Sequence, residues 1–220
     1  MSTPPRTLNE LFFGAMDRSA SRPVAMRVKR GGIWVGTSFA ELLSQVQAFS
    51  IGLHELGVNA GDRLAILSEN RPEWAVTDFA CLACRCADVP VYPTLPAHQI
   101  EYILRDSGAV AVCCSSAAQL GKILEIRGNL PALMTIVVFD ADAATGGALT
   151  FDSVLAKGRA AIPKYPTWRA DALAVKPDDL ATLIYTSGTT GDPKGVMLTH
   201  GNITSDVMAG LQVLDLRQSD

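Results

Sequence analysis

The sequence has little of several features that would assign it to a class of protein at once. Of its 220 residues, 19% are charged, 6% are aromatic and three are histidine. The amino-terminal segment MSTPPRTLNE lacks the apolar stretch of a secretory signal peptide. No apolar run approaches the roughly 20 residues that a membrane-spanning helix needs. We therefore expect a cytoplasmic protein without a transmembrane segment, which leaves open a peripheral contact with the inner face of a membrane.

Basic and acidic side chains are nearly balanced in each half of the chain. Residues 1–110 carry ten basic and eleven acidic side chains, and residues 111–220 carry nine and eleven. Because a nucleic-acid-binding protein needs a concentration of basic residues, this balance predicts no nucleic-acid partner. The hydrophobic content of 48% excludes a disordered chain and is enough for a sizeable core.

The cysteines argue against a disulfide-stabilised secreted domain. Their number is five, which is odd, and no secretory signal precedes them, so we expect reduced thiols. The C-x-x-C-x-C run at residues 81–86 could bind a metal, but no second ligand pair has zinc-like spacing. The run also lies in an apolar helix pattern that extends over residues 72–87. We therefore predict thiols that bind no metal, with Cys113 and Cys114 on opposite sides of a strand.

Apolar runs and helix-start signals alternate along the first 140 residues. A β-hairpin is predicted around Gly31 and Gly32, after an amphipathic helix that begins at residue 8. Strands are predicted at residues 63–67, 89–92, 109–114 and 135–139, and helices at 38–56, 72–87, 96–108 and 115–126. These strands are apolar throughout, which is typical of a sheet buried on both faces. The fold class is therefore α/β, with a parallel or mixed sheet covered by helices on both faces.

The periodic pattern weakens over residues 140–179, where Gly146, Gly147 and three prolines interrupt it. We interpret this segment as a connector that contains one short helix near residues 151–157. A further helix is predicted to begin near residue 201, with Asn202 or Thr204 as its cap.

Residues 185–195, YTSGTTGDPKG, are the most informative stretch of the sequence. Glycines allow backbone amides to approach an anion closely, and successive amides in such a turn form an anion-binding nest. Hydroxyl side chains and Lys194 add further donors and a positive charge. The spacing does not fit the G-x-x-x-x-G-K-[ST] motif of P-loop proteins, and the apolar residues that follow predict a strand. We therefore predict a phosphate-binding loop that joins two strands.

The longer stretch YTSGTTGDPKGVMLTHGN resembles the signature loop of the AMP-forming acyl-adenylating enzymes. These include acyl-CoA synthetases, luciferases and the adenylation domains of peptide synthetases. The pieces NRPEW and VPVYPTLP, within residues 69–96, resemble the long-chain fatty acyl-CoA ligase branch. The resemblance implies that residues 1–220 are the incomplete amino-terminal part of the large AMP-binding domain. It also implies that the carboxy-terminal domain is absent from this sequence.

By this resemblance, the intact enzyme activates a fatty acid with ATP and Mg²⁺ to acyl-AMP and then forms acyl-CoA from coenzyme A. The resemblance implies that the loop contacts the triphosphate of ATP, through Thr186, Ser187, Gly188, Thr189, Thr190, Gly191 and Lys194. It makes Lys194 catalytic and places Thr186 near magnesium, and it is compatible with a homodimer. Two alternatives stay open: an adenylating enzyme for another carboxylate, aryl or amino acid, and a non-catalytic binding fragment.

Two further features have both a functional and a structural interpretation. His200 and Asn202 could lie near the nucleotide, or they could be a packing histidine at a strand end and a helix cap. We favour the second interpretation, because caps are common at such positions. The run at residues 91–96 could line an acyl path, although a rigid turn after a strand explains it more simply.

Overall fold

The fold is described from a computed structural model over residues 4–186 and 192–213. Within these residues, two strands form a separate antiparallel hairpin and seven form one sheet. The hairpin consists of β1 (Met26–Arg30) and β2 (Ile33–Thr37). The sheet consists of β3 (Arg63–Leu67), β4 (Ala87–Val91), β5 (Ala111–Cys114), β6 (Thr135–Val138), β7 (Leu149–Thr150), β8 (Leu180–Thr186) and β9 (Lys194–Thr199).

The order across the sheet is β7-β6-β5-β3-β4-β8-β9. Pairs from β7 to β8 are parallel, and β8 with β9 is antiparallel. The predicted mixed α/β sheet is therefore confirmed. The helices are α1 (Leu8–Arg18), α2 (Phe39–His54), α3 (Pro72–Ala83), α4 (Ala97–Ser107), α5 (Ala117–Ile126), α6 (Phe151–Ala161), α7 (Trp168–Leu173) and α8 (His200–Val213).

Two hydrophobic clusters cover the two faces of the sheet, as the sequence predicts. On β3, Leu64 and Ile66 belong to the cluster formed with α1, α2, α3 and α6, whereas Ala65 and Leu67 belong to the cluster formed with α4 and α5. Alternate residues of a strand point to opposite faces, so each buried strand contributes to both clusters. Cys113 and Cys114 are divided in the same way, which confirms their predicted orientation.

The segment 140–179 contains more regular structure than the sequence predicts. Strand β7 joins the sheet edge, α6 continues to Ala161, and α7 follows as a second helix, so the prediction of one short helix is wrong. The reason is tertiary packing of α6 against α2. A Cβ added to Gly158 would lie 1.7 Å from the carbonyl oxygen of Ala48, and one added to Gly52 would lie 2.3 Å from that of Val154. Two glycines thus let these helices cross in backbone contact.

Helix α3 ends four residues before the boundary that the apolar pattern predicts. Arg85 adopts a left-handed conformation with φ of 60°. The amide of Cys86 donates to the carbonyl of Cys81 at 3.1 Å, and that of Arg85 donates to Leu82 at 2.9 Å. This pair of bonds is the Schellman arrangement that closes a helix. Cys84 and Cys86 therefore follow the helix rather than lie within it.

All five cysteines lie in the described part of the chain and are free thiols there, as predicted. Three of the thiols donate to backbone carbonyls: Cys84 Sγ lies 3.2 Å from Ser50 O, Cys86 Sγ lies 3.0 Å from Asn59 O, and Cys114 Sγ lies 3.3 Å from Val137 O. Their freedom from metal stays a prediction.

Candidate nucleotide and acyl site

The predicted phosphate loop connects β8 to β9, and its two flanking residues define the mouth of this hairpin. Thr186 and Lys194 are Cα partners at the ends of the two strands, and both are exposed. The predicted loop residues Ser187, Gly188, Thr189, Thr190 and Gly191 lie outside the described residues. Because β8 runs parallel to β4, the mouth lies at the same edge of the sheet as the carboxyl ends of β3 and β4. The structure thus confirms the strand–loop–strand setting.

Tyr185 anchors the mouth of the hairpin to the body of the sheet. Its ring is buried beside α4, and its hydroxyl donates to Asp106 Oδ2 at 2.6 Å. Burial is the main cause that raises the pKa of Tyr185 well above its usual value, and the hydrogen bond to this carboxylate raises it further. The ring also lies over Gly195, where an added Cβ would be 3.0 Å from Cζ of Tyr185. The backbone of Lys194 is therefore held next to the anchored ring of Tyr185.

The carboxyl ends of β3, β4 and β8 lie side by side at this edge of the sheet. The helix after β3, α3, packs on one face, and the helix after β4, α4, packs on the other. Ligands of open α/β sheets bind outside the carboxyl ends of the strands. A cavity of about 440 Å³ opens there, lined by Ser68, Glu69, Asn70, Trp74, Pro90, Val91, Tyr92, Pro93, Ile184 and Tyr185.

Glu69 gives this cavity its main fixed charge. Ser115 Oγ donates to Glu69 Oε2 at 2.6 Å, and Gln119 Nε2 donates to Oε1 at 3.3 Å. The Ser115 hydrogen bond is the main cause that lowers the pKa of Glu69. An ionised carboxylate accepts hydrogen bonds and repels anions. The cavity therefore suits hydroxyl, amine or apolar groups, and phosphate is better placed near Lys194.

Arg71 ties together three strand ends beside the cavity. It donates to Glu73 Oε2 at 2.8 Å, to Asp140 Oδ1 at 2.9 Å and to the Ser115 carbonyl at 3.2 Å. The hydrogen bond to Glu73 is the largest cause that raises the pKa of Arg71. A second, polar cavity of about 650 Å³ lies on this side and shares Glu69 with the first.

Comparison with known proteins identifies the family. Residues 15–219 match the model of the AMP-binding enzyme family. The chain belongs to the AMP-binding enzymes. A long-chain-fatty-acid–CoA ligase of Mycobacterium bovis is 39% identical over 176 residues, which cover 80% of this chain and 28% of that protein. The chain thus spans less than a third of the length of this curated relative.

Solved structures agree with this AMP-binding fold. An anthranilate CoA ligase in complex with anthranoyl-AMP has a TM-score of 0.71 at 25% identity, covering 90% of this chain and 36% of its own. The amino-terminal domain of a Mycobacterium tuberculosis protein, FACL13, has a TM-score of 0.73 at 21% identity, covering 98% and 50%. Within the described residues, no helix is both long and apolar enough to cross a membrane.

The turn after β4 is rigid in this AMP-binding enzyme and also lines the cavity. The amide of Leu95 donates to Tyr92 O at 3.1 Å. Lys122 Nζ donates to the carbonyls of Pro93 and Leu95 at 2.7 and 2.9 Å. The interpretation of this run as a rigid turn is confirmed. Because Tyr92 and Pro93 face the cavity, the turn also fixes one of its walls.

His200 and Asn202 lie at the opposite end of the β8–β9 hairpin from the phosphate loop. Leu180 pairs with Thr199, so about 20 Å of strand separates His200 from the mouth. His200 is fully buried, its Nδ1 accepts from the amide of Leu8 at 3.2 Å, and burial lowers its pKa. The packing interpretation of His200 is therefore confirmed.

The predicted cap of α8 is wrong by a few residues. Thr199 and Asn202 bond reciprocally, with the Asn202 amide donating to Thr199 Oγ1 at 3.1 Å and the Thr199 amide donating to Asn202 Oδ1 at 3.0 Å. Thr199 is thus the cap, Asn202 lies in the first turn, and Thr204 donates to the carbonyls of Arg6 and His200. The sequence pattern missed this because Thr199, Asn202 and Thr204 are all residue types that commonly cap a helix.

Proposed function

We propose that this chain is the amino-terminal part of the AMP-binding domain of a fatty acid–CoA ligase. In the complete enzyme, ATP and a fatty acid give acyl-AMP and pyrophosphate, and coenzyme A then gives the thioester. The observation that carries the proposal is the exposed Lys194 and Thr186 at the mouth of a glycine-rich hairpin, beside a cavity at the carboxyl ends of β3, β4 and β8.

The residues at the mouth fit a triphosphate chemically. Lys194 has an exposed, flexible ammonium that can meet phosphate oxygens as a point charge. The loop that follows Thr186 supplies, by sequence, glycine amides and hydroxyl groups suited to the same anion. Mg²⁺ usually binds through phosphate oxygens and few protein groups, and it would supply charge neutralisation when bound. We assign the Thr186 hydroxyl to the surroundings of this Mg²⁺ ion.

The lining of the cavity favours a substrate whose apolar group lies between fixed walls. Trp74, Val91, Tyr92 and Ile184 give it apolar surface, and Glu69 keeps anions from its floor. The ligase that shares 39% identity acts on long-chain fatty acids by its name, which favours that substrate class. The likeness to an anthranilate ligase, at 25% identity, makes an aryl carboxylate the second candidate. The free thiols support a cytoplasmic setting.

A substrate panel tests the proposal. Pyrophosphate release and thioester formation would be measured in the longest protein that contains this sequence, with fatty acids of graded length, anthranilate and an amino acid. We expect turnover with long-chain fatty acids and little with the other two. Preferential turnover of anthranilate would assign the second candidate, and no carboxylate-dependent pyrophosphate release would contradict adenylation altogether. The 220-residue chain alone is expected to show no release above a blank without enzyme.

A further inference from the structure

Three cysteines meet where α3 ends and β4 is about to begin. The amide of Cys86 donates to the carbonyl of Cys81, so the chain folds back over the last turn of the helix. The sulfur of Cys86 thereby lies within hydrogen-bonding distance of both the Cys81 and the Cys84 thiol. It also lies 3.7 Å from the carbonyl oxygen of Cys84. We call Cys81, Cys84 and Cys86 the thiol cluster.

The backbone of Arg85 holds the thiol cluster together. Its φ of 60° is the one positive φ that a residue other than glycine adopts in the described part of the chain. This conformation is uncommon for residues with a Cβ, and it persists only where the surrounding structure fixes it. Here the carbonyl of Arg85 accepts from the amide of Gly61 at 2.9 Å. Because Arg85 alone separates Cys84 from Cys86, this turn keeps their two sulfurs in contact.

Cys84 connects the cluster to solvent. It is half-buried, whereas Cys81 and Cys86 are fully buried. A cavity of about 230 Å³ opens beside it, lined also by Ser50, His54, Tyr165 and Trp168. Such a cavity has room for water and for a solute of similar size, such as hydrogen peroxide. The cluster lies at the amino end of β4, so this cavity is at the edge of the sheet opposite the phosphate loop.

The cluster can hold a negative charge on Cys86. When Cys86 ionises, the Cys81 and Cys84 thiols can donate to it, and these hydrogen bonds lower the pKa of Cys86 well below its usual value. The hydrogen bond to Cys86 is also the main cause that raises the pKa of Cys84. Cys86 is therefore suited to accept the proton of Cys84 when Cys84 reacts. Among the described residues, no group of three or more ligands could hold a metal ion, so the cluster is considered for thiol chemistry.

We propose that Cys84 and Cys86 form a reversible disulfide when the protein meets a peroxide. The Cys84 sulfur attacks one peroxide oxygen, the O–O bond breaks, and Cys86 takes the Cys84 proton. This leaves a sulfenic acid on Cys84 and releases hydroxide. The Cys86 sulfur then attacks the sulfenic sulfur, and the hydroxyl group leaves with the Cys86 proton as water. The two sulfurs lose two electrons in total, and the peroxide gains them.

A reversible disulfide is compatible with the reduced thiols of the untreated protein. In a reducing compartment, disulfides are usually transient and catalytic or redox-sensing. The two residues that flank Arg85 combine one sulfur that a small oxidant can reach with a second sulfur in contact with it. This arrangement of a reactive and a resolving cysteine is typical of redox-sensing sites. The inference does not depend on the proposed function.

Peptide mapping of the native 220-residue chain tests the disulfide. Trypsin cleaves after Arg85, and so separates Cys84, in residues 64–85, from Cys86, in residues 86–105. The chain would be treated with hydrogen peroxide, and the remaining thiols would be blocked with N-ethylmaleimide in denaturant before digestion. We expect the two peptides to be joined after peroxide treatment and separated again by dithiothreitol. Without peroxide, all five cysteines should be blocked.

Variants distinguish this disulfide from other oxidation. Cys84→Ser should abolish the link, whereas Cys81→Ser should keep it, although Cys81 lies in the same tryptic peptide as Cys84. Cys86→Ser should leave a sulfenic acid on Cys84 that dimedone traps. It should also slow formation of this acid by about a hundredfold, which is the low end of what a positioned base contributes. Circular dichroism would show that each variant is folded.

Cys113 and Cys114 are the matched control within the same chain. They are adjacent in sequence and buried, but they belong to the clusters on opposite faces of the sheet. Both should remain free thiols at the peroxide concentration that joins the other two peptides.

Four outcomes would overturn the proposal. The first is the absence of the linked peptides, or their formation only after the chain is unfolded. The second is a link that persists in Cys84→Ser, which would assign the disulfide to Cys81 instead. The third is oxidation of Cys113 and Cys114 at the same rate as Cys84. The fourth is an equivalent of bound zinc in the untreated protein, since this would make the cluster a metal site.

Discussion

Replacing Gly158 by alanine should destabilise the fold, although a glycine-to-alanine change within a helix ordinarily stabilises it. The new Cβ would lie 1.7 Å from the Ala48 carbonyl oxygen, so α6 must move away from α2 by more than an ångström to restore an ordinary contact. This movement loosens the packing of Phe151, Val154 and Leu155. Overpacking of this kind costs about 1–3 kcal/mol or more, against a gain of about 0.5–1 kcal/mol in helix propensity.

We therefore expect Gly158→Ala to lower the free energy of unfolding by about 2 kcal/mol, measured by urea denaturation with circular dichroism. Gly121→Ala is the matched control, because Gly121 lies in α5 and a Cβ there would meet no atom within 4 Å. That variant should be unchanged or more stable by up to about 1 kcal/mol. Equal stability of the two variants would refute the close crossing of α2 and α6.

Two further predictions concern buried titratable groups. Burial raises the pKa of Asp88 to about 7, and burial together with the charge of Asp88 also raises that of Asp78. Where the pKa of a carboxyl is higher in the folded than in the unfolded state, the protein loses stability as pH rises from about 4 to 7. Asp88→Asn should therefore reduce this fall in stability, measured as the urea midpoint at each pH, whereas Asp142→Asn should not. Unchanged pH dependence in Asp88→Asn would contradict this assignment. Thiol titration without reductant should find five thiols after denaturation and fewer that react rapidly in the native protein, because four of the five are buried. Fewer than five after denaturation, or five rapid reactions in the native protein, would show that the thiol environments are wrong.

Much of the fold could be predicted because its signals are local. Thr7 and Ser38 form capping boxes at the starts of α1 and α2, as residue types three positions apart suggest. The apolar runs of β3 and β5 are buried on both faces, so burial follows directly from their composition. The hairpin setting of the phosphate loop could likewise be predicted from the apolar runs that flank it.

The remaining features depend on contacts between distant parts of the chain. The Tyr185–Asp106 hydrogen bond joins residues 79 positions apart, and neither residue has a pattern that singles out the other. Gly158 appears in the sequence as a helix-weakening residue, and only its contact with Ala48 explains it. The early end of α3 depends on the left-handed Arg85, for which the sequence offers no glycine as a signal. The cavity itself follows from strand order, which local patterns do not contain.

The most direct test of the proposed function compares the two half-reactions in a Lys194→Ala variant of the longest protein that contains this sequence. Lys194 lies at the mouth of the loop, where its charge can meet the triphosphate. Removing such a charged contact should slow acyl-adenylate formation by about a hundredfold or more. Thioester formation from supplied acyl-AMP involves no pyrophosphate and should change little, and Lys176→Ala, at another exposed lysine, should affect neither step. An equal loss in both steps, or no loss in adenylation, would contradict the assignment of Lys194 to the phosphates of ATP.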